Sequence, residues 1–411
     1  MSRLDELITE LCPNGVEYRK VGDIANISRG KVMSKEYLKE NAGEYPVYSS
    51  QTENDGKLGA ITTYMFDGEY LTWTTDGANA GTVFYRSGKF SVTNVCGVID
   101  NTSKDVDTKY LYYILNREAP HYVNSGMGNP KLMSNVMARI NLPVPPLEVQ
   151  REIVHILDSF TLLTAELTAE LTARKKQYEF YRDKLLTFGN DTLECKLKDI
   201  CDIFLGLTAT PNYTDSGVKF ISAQNTSNDF LDLSNVKYIS ETDFENATSN
   251  AKPQRGDLIF TRVGSNLGHP VIVETDEKLC IFVSLGYLRI RNKKQVVIGY
   301  LKHWMNTDLF WAQVRKNVHG AAKVNLNTGW LKEFRISLPP LETQERIVHV
   351  LDNFESICTD LNIGLPAEIE ARQKQYEYYR DLLLTFAETG NMLETDRQTD
   401  RQTDRQTDRQ T

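Results

Sequence analysis

Three features are absent from this sequence, and each absence excludes a class of protein. No run of apolar residues approaches the roughly eighteen that a membrane-spanning helix needs. The six cysteines form no C-x-x-C pair and the six histidines do not cluster with them, so neither a disulfide framework nor a metal site is expected. The opening stretch, MSRLDELITELCPNGVEY, lacks the basic-then-apolar pattern of a signal peptide. We therefore expect a cytoplasmic protein.

The charge balance is acidic, which bears on nucleic-acid binding. The formal net charge is −8, with 25% of the residues charged and 40% hydrophobic, as in ordinary globular proteins. A net negative charge argues against a protein that coats nucleic acid by bulk attraction. It does not exclude DNA binding, because a local basic face matters more than the sum.

One long segment of the sequence occurs twice. The stretch RKKQYEFYRDKLLTF (174–188) returns as RQKQYEYYRDLLLTF (372–386). Upstream of it, VPPLEVQREIVHILDSF (144–160) returns as LPPLETQERIVHVLDNF (338–354), which is 194 residues later. Agreement this dense indicates a tandem duplication, and a repeat of this kind determines the fold class.

Weaker echoes precede each helical block. DGANAG (76–81) resembles VGSNLG (263–268), and GNPKLM (128–133) resembles GAAKVN (320–325). These modules contain short runs of β-branched and aromatic residues bounded by Gly, Asn and Asp, which predict strands. A helix is predicted near the end of each module, at KYLYYILN and at GYLKHWMNTDLFWAQV.

These patterns divide the chain into two divergent modules and two nearly invariant helical blocks. The predicted segments are 1–143 (first module), 144–189 (central helix), 190–337 (second module), 338–388 (C-terminal helix) and 389–411 (disordered tail).

The helical blocks carry apolar residues at three- and four-residue steps, the pattern of a coiled-coil seam. The seam comprises Ile153, Leu157, Phe160, Leu167, Leu171, Tyr178, Tyr181, Leu185, Ile347, Leu351, Phe354, Leu361, Tyr376, Tyr379 and Leu383.

A helix of about forty residues needs a continuous partner, so we predict that the two helices pair antiparallel and separate the modules as a rod. The alternative is that each helix packs only on its own module. Gly364 and Pro366 predict a break in the second helix.

Within the first helix, TAELTAELTA (164–173) repeats a tetrapeptide that adds close to one helical turn, about 6 Å. Alone this stretch is typical of an ordinary Ala- and Leu-rich helix, but beside the duplication it indicates a spacer.

With the PPLE openings, the duplicated KQYE helices and the two variable modules, the chain resembles the specificity subunit of a type I restriction–modification enzyme, in the subgroup with TAEL repeats. The resemblance covers essentially residues 1–388.

The resemblance implies an α+β fold and a set of partners. Two tandem, pseudo-symmetric target recognition domains of mixed α/β structure with a twisted sheet would be separated by two long helices forming an antiparallel coiled coil. Each domain would read half of a split double-stranded DNA target, and the helices would set the gap. Two methyltransferase subunits would dock on the repeated helices, and restriction subunits would join through them. The chain itself would be non-catalytic and hold no cofactor, with S-adenosylmethionine, Mg²⁺ and ATP on the partner subunits.

Candidate DNA-binding residues come from the glycine-flanked turns and their surroundings. They are Trp73, Asn79, Arg86, Lys131, Arg262, Asn266 and Lys323. The asparagines lie in turns whose N–H groups could approach phosphate, or in plain turns. The lysines are candidates for phosphate contacts, or solvated surface residues. The arginines are candidates for guanine or phosphate contacts, and the tryptophan packs either on DNA or in the core.

Two rival functions are a DNA-modifying enzyme and a scaffold that binds no DNA. An amino-methyltransferase is expected to carry an Asn-Pro-Pro-aromatic motif and a glycine-rich nucleotide loop, yet GNPKLM continues with Lys and no G-x-G-x-x-G occurs. Metal-dependent cleavage would require grouped acidic residues, of which DVDTKY (105–110) is only a faint echo. The divergence of the modules beside the near identity of the helices argues against a scaffold.

The last segment is a perfect short repeat. Residues 395–410 are four copies of TDRQ without any apolar residue, so we expect disorder there. A tract of one repeated tetranucleotide encodes a repeat of four residues. Slipped replication in such a tract would shift the reading frame, and we therefore expect phase variation of the gene.

Overall fold

Runs of β-branched and aromatic residues alternate with short helices in each half of the chain. The computed structural model describes residues 3–126, 128–189, 192–264, 266–317, 325–360 and 362–389. The first half contains α1 (Arg3–Leu11), β1 (Glu17–Lys20), α2 (Val21–Ile24), β2 (Ala25–Arg29), α3 (Lys35–Glu40), β3 (Ala42–Tyr48), β4 (Lys57–Ile61), β5 (Phe66–Thr74), β6 (Val83–Val92), β7 (Cys96–Asn101), α4 (Thr108–Glu118), α5 (Ser134–Met137), β8 (Asn141–Val144) and α6 (Leu147–Leu185).

The second half repeats much of this order. It contains β9 (Leu193–Lys196), α7 (Leu197–Ile200), β10 (Cys201–Leu205), β11 (Val218–Ile221), β12 (Lys237–Ile239), α8 (Glu241–Asn246), β13 (Leu258–Thr261), β14 (Pro270–Ile272), β15 (Leu279–Ile281), β16 (Leu285–Ile290), α9 (Ile298–Met305), α10 (Asp308–Asn317), α11 (Thr328–Glu333), β17 (Arg335–Leu338), α12 (Leu341–Thr359) and α13 (Leu365–Thr389).

Capping side chains determine where several of these helices begin. Asp107 precedes α4, and its carboxylate accepts hydrogen bonds from the backbone N–H groups of Lys109 (2.8 Å) and Tyr110 (3.1 Å). Asn327 precedes α11 and accepts from the N–H of Gly329 at 2.7 Å. Such caps satisfy N–H groups that have no partner within the helix.

The chain forms two compact units that do not follow the order of the repeat. The first unit takes in the residues up to Ala165 together with those from Ala371 onward, and the second unit is Glu166–Glu370. Helix α6 therefore gives its first part to one unit and its second part to the other, as does α13 in the reverse order. Each unit thus contains one module and a KQYE helix from the opposite copy of the repeat. The alternative in which each helix packs only on its own module does not hold.

In the first unit, six strands form one sheet in the order β2-β7-β5-β6-β3-β4. Neighbouring strands run antiparallel except β3 and β6, which are parallel. Strands β1 and β8 pair separately just before α6. The core joins the sheet residue Trp73, the α4 residue Ile114, the α6 residue Leu157 and the α13 residue Leu384 in one apolar cluster.

The second unit has the same strand order split into smaller sheets. The order β10-β16-β13-β14 matches β2-β7-β5-β6, and the parallel pair β11–β15 matches β3–β6. The difference arises because β6 is one strand of ten residues, whereas β14 and β15 are separate strands of three. The largest core cluster of the unit joins Tyr300 and Trp304 from α9 to Leu351 from α12 and Leu186 beyond α6.

The predicted modules of mixed helix and strand are confirmed, and the helix predicted near the end of the second module is divided in two. The stretch 299–314 forms two helices, α9 and α10, because the Thr307 hydroxyl donates to the carbonyl of Trp304 at 2.7 Å and accepts from the N–H of Phe310 at 3.3 Å.

In the second helical block, α12 ends at Thr359 and α13 begins at Leu365. A Cβ on Gly364 would lie 2.6 Å from the carbonyl oxygen of Asp360, so only glycine fits there.

The long helix predicted in the first block is α6, with 39 residues and a length of about 60 Å. Of the seam residues, Ile153, Leu157, Ile347, Leu351 and Leu383 are buried. Most of the others are half-buried, whereas Tyr181 is 38% exposed. Leu361 lies outside the described residues, as do the TDRQ repeats.

Among the described residues, none of the helices combines the length and apolar character needed to cross a membrane.

Candidate nucleic-acid interface

The two glycine-flanked turns occupy equivalent places in the two units. In the first, the N–H of Gly81 donates to the carbonyl of Thr74, the last residue of β5, at 2.9 Å. In the second, the N–H of Gly268 donates to the carbonyl of Thr261, the last residue of β13, at 2.7 Å. Both glycines have positive φ values, 88° and 76°, which favour glycine over residues with a side chain. The similarity of the two sequence segments therefore extends to their backbone hydrogen bonds and φ values.

The turn asparagines each hold a neighbouring loop. The Asn79 amide donates to the Thr52 hydroxyl at 2.9 Å, and the Asn266 amide donates to the carbonyl of Ser227 at 3.2 Å. Both asparagines are exposed. Their shared contact means that each turn positions the loop that follows β3 or β11, so the interface to be tested includes those loops as well as the turns.

Lys131 lies beside the first turn. Its ammonium is 3.6 Å from the carboxylate of Asp76, and its side chain is 52% exposed. With Asn124, Gly126 and Asn129 it lines a surface depression. The Lys131 ammonium therefore lies at the edge of the turn, beside a carboxylate and open to solvent.

The alignment of GNPKLM with GAAKVN places Lys131 opposite Lys323, and the structure shows that this alignment is shifted. The N–H of Leu132 donates to the carbonyl of Thr75, and the N–H of Leu326 donates to that of Arg262. Leu132 and Leu326 are 194 residues apart, as are the helical blocks, so the position equivalent to Lys131 is 325, an asparagine. Lys323 itself lies outside the described residues.

Arg86 is a structural residue, so its assignment to guanine or phosphate contact is wrong. Its side chain is only 3% exposed. The guanidinium donates to the carboxylate and to the backbone carbonyl of Asp55, and to the Thr72 hydroxyl. It also lies over the rings of Tyr48 (3.7 Å) and Phe84 (4.5 Å). These contacts commit the cation to the protein.

Arg262 is half-buried and bonded to the backbone. Its guanidinium donates to the carbonyls of Leu326 (3.3 Å) and Val283 (3.4 Å). The side chain thereby joins the second turn to the segment that leads into α11. Arg262 therefore positions the turn through its bonds to the backbone.

Trp73 lies in the core, so of its two predicted places the one on DNA is wrong. It has no exposed surface, and its indole N–H donates to the carbonyl of Leu132 at 3.0 Å. A Cβ on the facing Gly97 would lie 2.2 Å from the indole ring. A side chain enclosed in this way cannot pack on DNA.

The glutamine of each PPLE opening joins the long helix to its module. The Gln150 amide donates to the carbonyls of Asp105 (2.9 Å) and Pro145 (2.7 Å) and accepts from the N–H of Asp107 (2.8 Å). Gln344 makes the same three bonds, at 2.9, 2.9 and 3.0 Å, in the second unit. Both side chains are fully buried. The two modules are therefore anchored identically, although their sequences differ.

A buried histidine links the KQYE helix of α6 to α12 in the second unit. His303 has no exposed surface; its Nε2 lies 2.8 Å from the Asp352 carboxylate and its Nδ1 lies 3.1 Å from the Tyr178 hydroxyl. Partial burial opposes ionisation of Asp352, whose side chain is 53% exposed, but the hydrogen bond from His303 and the charge of nearby Lys302 outweigh it and lower the pKa of the carboxyl. Burial raises the pKa of the Tyr178 phenol.

The same histidine belongs to a group whose donor atoms could reach one metal ion. The ligand atoms of His303, Asp352 and Glu355 lie within 4.8 Å of one another. Both histidine nitrogens already have partners, and Glu355 pairs with the ammonium of Lys302 at 2.5 Å. The cation of Lys302 thus neutralises the carboxylate, and the hydrogen bonds account for this group without a metal.

One aromatic position is exposed in both copies of the KQYE helix. Phe180 is 60% exposed and Tyr378 is 55% exposed. They are repeat equivalents, since they occupy the same place in YEFYRD and YEYYRD. Each lies 5.4 Å, centroid to centroid, from the tyrosine that follows it. An exposed aromatic ring kept at the same place in both copies marks a candidate partner surface.

Sequence reasoning did not find the residues that hold these features in place. Gln150 and Gln344 could have been found, because they recur in the repeat at a spacing of 194. Asp55 and His303 carried no such signal, because their partners, Arg86 and Tyr178, are distant in sequence.

Comparison with known proteins identifies relatives along nearly the whole chain. The model of the type I restriction modification DNA specificity domain matches residues 13–174 and 190–371. A putative type I specificity subunit of Mycoplasma pneumoniae, S.MpnORF507P, is 37% identical over 379 residues, which is 90% of this chain and 97% of that protein. The type I restriction enzyme MpnII specificity subunit of the same organism is 46% identical over 173 residues, 41% of this chain and 52% of its own.

Solved structures show the same fold at low sequence identity. The S subunit of a type I restriction–modification system from M. genitalium matches with a TM-score of 0.51 and 12% identity, over 91% of this chain and 96% of its own. A chain from a structure of complex assembly and conformational transition in a type I R-M system matches with a TM-score of 0.58 and 15% identity, over 92% and 98%.

Proposed function

This chain belongs to the type I restriction–modification DNA specificity family, and we propose that each of its modules reads one half of a split DNA target. Its role is to supply DNA sequence specificity, without a catalytic step of its own. The observation that carries the proposal is the identical anchoring of two divergent modules by Gln150 and Gln344. Identical supports under different surfaces suit a chain that must present two different reading surfaces to one duplex.

The reading surfaces are proposed to be the target recognition domains 1–143 and 190–337, at the turns and the loops they hold. Asn79, Asn266 and Lys131 remain the candidate contacts, because they are exposed. A few such contacts suffice to fix register on the phosphates while other side chains read base edges. Lys323 keeps its candidate status on sequence grounds alone.

The duplicated KQYE helices are proposed to dock two copies of the methyltransferase subunit. Phe180 and Tyr378 supply an exposed ring at the same position of each copy, and aromatic anchors of this kind carry much of the binding energy at interfaces. Restriction subunits would join through the methyltransferases. S-adenosylmethionine, Mg²⁺ and ATP would be bound by those partners, and the assembly would act in the cytoplasm, where it meets DNA.

The helical segments are proposed to set the gap between the two half-sites. In the TAEL stretch, the hydroxyls of Thr164 and Thr172 donate to the carbonyls of Phe160 (2.9 Å) and Thr168 (3.0 Å), one turn earlier. The threonines thus satisfy their own polar groups within the helix, so that a unit can be added or removed without creating an unpaired hydroxyl.

The experiment that tests this function is modification-sensitive sequencing of the source genome with and without the gene. We expect a split motif to lose methylation on deletion and to regain it when the full gene is restored. Unchanged methylation, in cells shown to express both the chain and its methyltransferase partner, would contradict the proposal and favour a scaffold that reads no DNA.

A further inference from the structure

The loop between β3 and β4 adopts an unusual backbone conformation. Within the described parts of the chain, Asn54 (φ 49°) and Asp55 (φ 54°) are the only residues other than glycine with positive φ, and Gly56 follows at 75°. Three successive left-handed residues are unfavourable even though Asn and Asp tolerate this region best. Such a conformation persists only where surrounding contacts enforce it, and it is concentrated at functional sites.

Those contacts come chiefly from Arg86, the buried cation described above. Its guanidinium donates to the carboxylate of Asp55 and, at 2.8 Å, to its backbone carbonyl. The arginine is only 3% exposed, whereas the aspartate side chain is 70% exposed. A buried group therefore reaches out to fix the backbone of a surface loop.

Further hydrogen bonds fix both ends of the same loop. The N–H of Ser49 donates to the carbonyl of Gly56 at 3.0 Å, and the Gln51 amide donates to the carbonyl of Lys57. The turn residue Asn79 holds Thr52 at 2.9 Å. The loop is thus rigid by construction and is tied to the glycine-flanked turn.

Two side chains of this fixed loop make no polar contact with the described parts of the chain. Glu53 and Asn54 are both exposed, and neither makes a side-chain hydrogen bond or ion pair with any described residue. A rigid, strained loop that presents unused polar groups has the organisation expected of a recognition element, in which ordering is complete before binding.

We propose that this loop, residues 49–56, reads bases for the first module and that Asn54 contacts a base edge. The inference rests on the proposed DNA-reading function. An asparagine amide can donate an N–H to N7 of adenine while its carbonyl oxygen accepts from the N6 amino group in the major groove. The charge of the neighbouring Asp55 carboxylate is compensated by Arg86, which reduces repulsion of the DNA backbone.

The second module differs at the corresponding place, as two readers of different half-sites should. Its loop after β11 contains no described non-glycine residue with positive φ, and it exposes the aromatic ring of Phe230 (55%) instead. Asn54 should therefore affect only one half of the target.

The test compares Asn54→Gly and Asn54→Asp with the wild-type chain, each assembled with the methyltransferase on a library of randomised split targets. Glycine accepts positive φ without strain, so Asn54→Gly should melt no lower than wild type. We expect both variants to lose preference at one A·T pair of one half-site, roughly tenfold or more, with the other half unchanged. Asn250→Gly, an exposed change in the second module, is the control and should leave the first half-site preference intact.

Three other outcomes are distinguishable. Wild-type preference in both halves for both Asn54 variants would overturn the role of the loop and leave the proposed function standing. An equal loss of affinity for every sequence would indicate a phosphate contact and would also overturn base reading. Absence of sequence preference in the wild-type assembly would overturn the proposed function and this inference together.

Discussion

The ring of Phe160 stacks on that of Tyr379, with centroids 5.4 Å apart and planes inclined by 21°. In the other unit, Phe354 lies against Tyr181 at 6.0 Å and 35°. The two phenylalanines are repeat equivalents, and so are the two tyrosines. The same contact is therefore made twice, each time between the PPLE helix of one copy and the KQYE helix of the other. This exchange accounts for the near identity of the helical blocks, because each block must fit both its own module and its counterpart.

Removing either buried glutamine amide should destabilise the unit that it anchors. Gln150→Ala and Gln344→Ala each leave a buried N–H without an acceptor and two carbonyls without a donor, which we expect to cost about 2 kcal/mol. The measurement is denaturant unfolding of the full chain. Gln373→Ala, at an exposed position of α13, should change stability little; equal effects of all three substitutions would contradict the anchoring role.

The contribution of Asp352 to stability should depend on pH in one direction. Its pKa is lowered from 3.8 in the folded chain, so the carboxylate stabilises the fold above its unfolded pKa, and that contribution is lost as pH falls through the folded pKa. Asp352→Asn should therefore be less stable than wild type at pH 7, with the difference shrinking toward pH 3. Unfolding curves over this range provide the measurement. Asp215→Asn, at an exposed position, is the control, and a pH-independent difference for Asp352→Asn would exclude this explanation.

The two exposed rings should act as separate docking sites. Phe180→Ala and Tyr378→Ala should each reduce the assembly from two methyltransferase subunits per chain to one, and the double variant should bind none, because each ring anchors one copy. Native mass spectrometry measures the stoichiometry directly. Phe180→Tyr and Tyr378→Phe exchange the residues that the two copies already use, and they should retain both subunits. Two subunits bound to the double alanine variant would contradict this assignment.

Deleting one TAEL unit, residues 168–171, should shorten the gap in the DNA target. One turn of helix is about 6 Å and one base-pair step is 3.4 Å, so the gap should change by about one to two base pairs. Sequencing of methylated sites in cells carrying the deletion measures the gap. Glu166→Ala keeps the length and should keep the gap, whereas an unchanged gap after deletion would exclude a spacer role.

Much of the fold could be predicted from the sequence because the duplication is explicit. The PPLE and KQYE segments identify the helices, and the runs of β-branched residues identify strands. The exchange of KQYE helices between units could not be predicted, since a seam such as Ile153 and Leu157 shows that a partner exists without showing which module it covers. Arg86 was misassigned for a related reason: its place after the glycine-flanked turn suggests a DNA contact, whereas its burial is decided by a residue distant in sequence, Asp55. For Trp73 the sequence left DNA packing and the core both open, and its partner in the core, the carbonyl of Leu132, is also distant in sequence.

The exchanged helices also affect the order in which the chain can fold during synthesis. The second unit, Glu166–Glu370, is one continuous stretch and is complete as soon as its last residue has been made. The first unit lacks Tyr379, Leu383 and Leu384 until residues 371–389 follow. Because domains fold as their residues become available, the module translated first is the last to complete its core. Its apolar face stays uncovered by the final helix until the whole second unit has been synthesised.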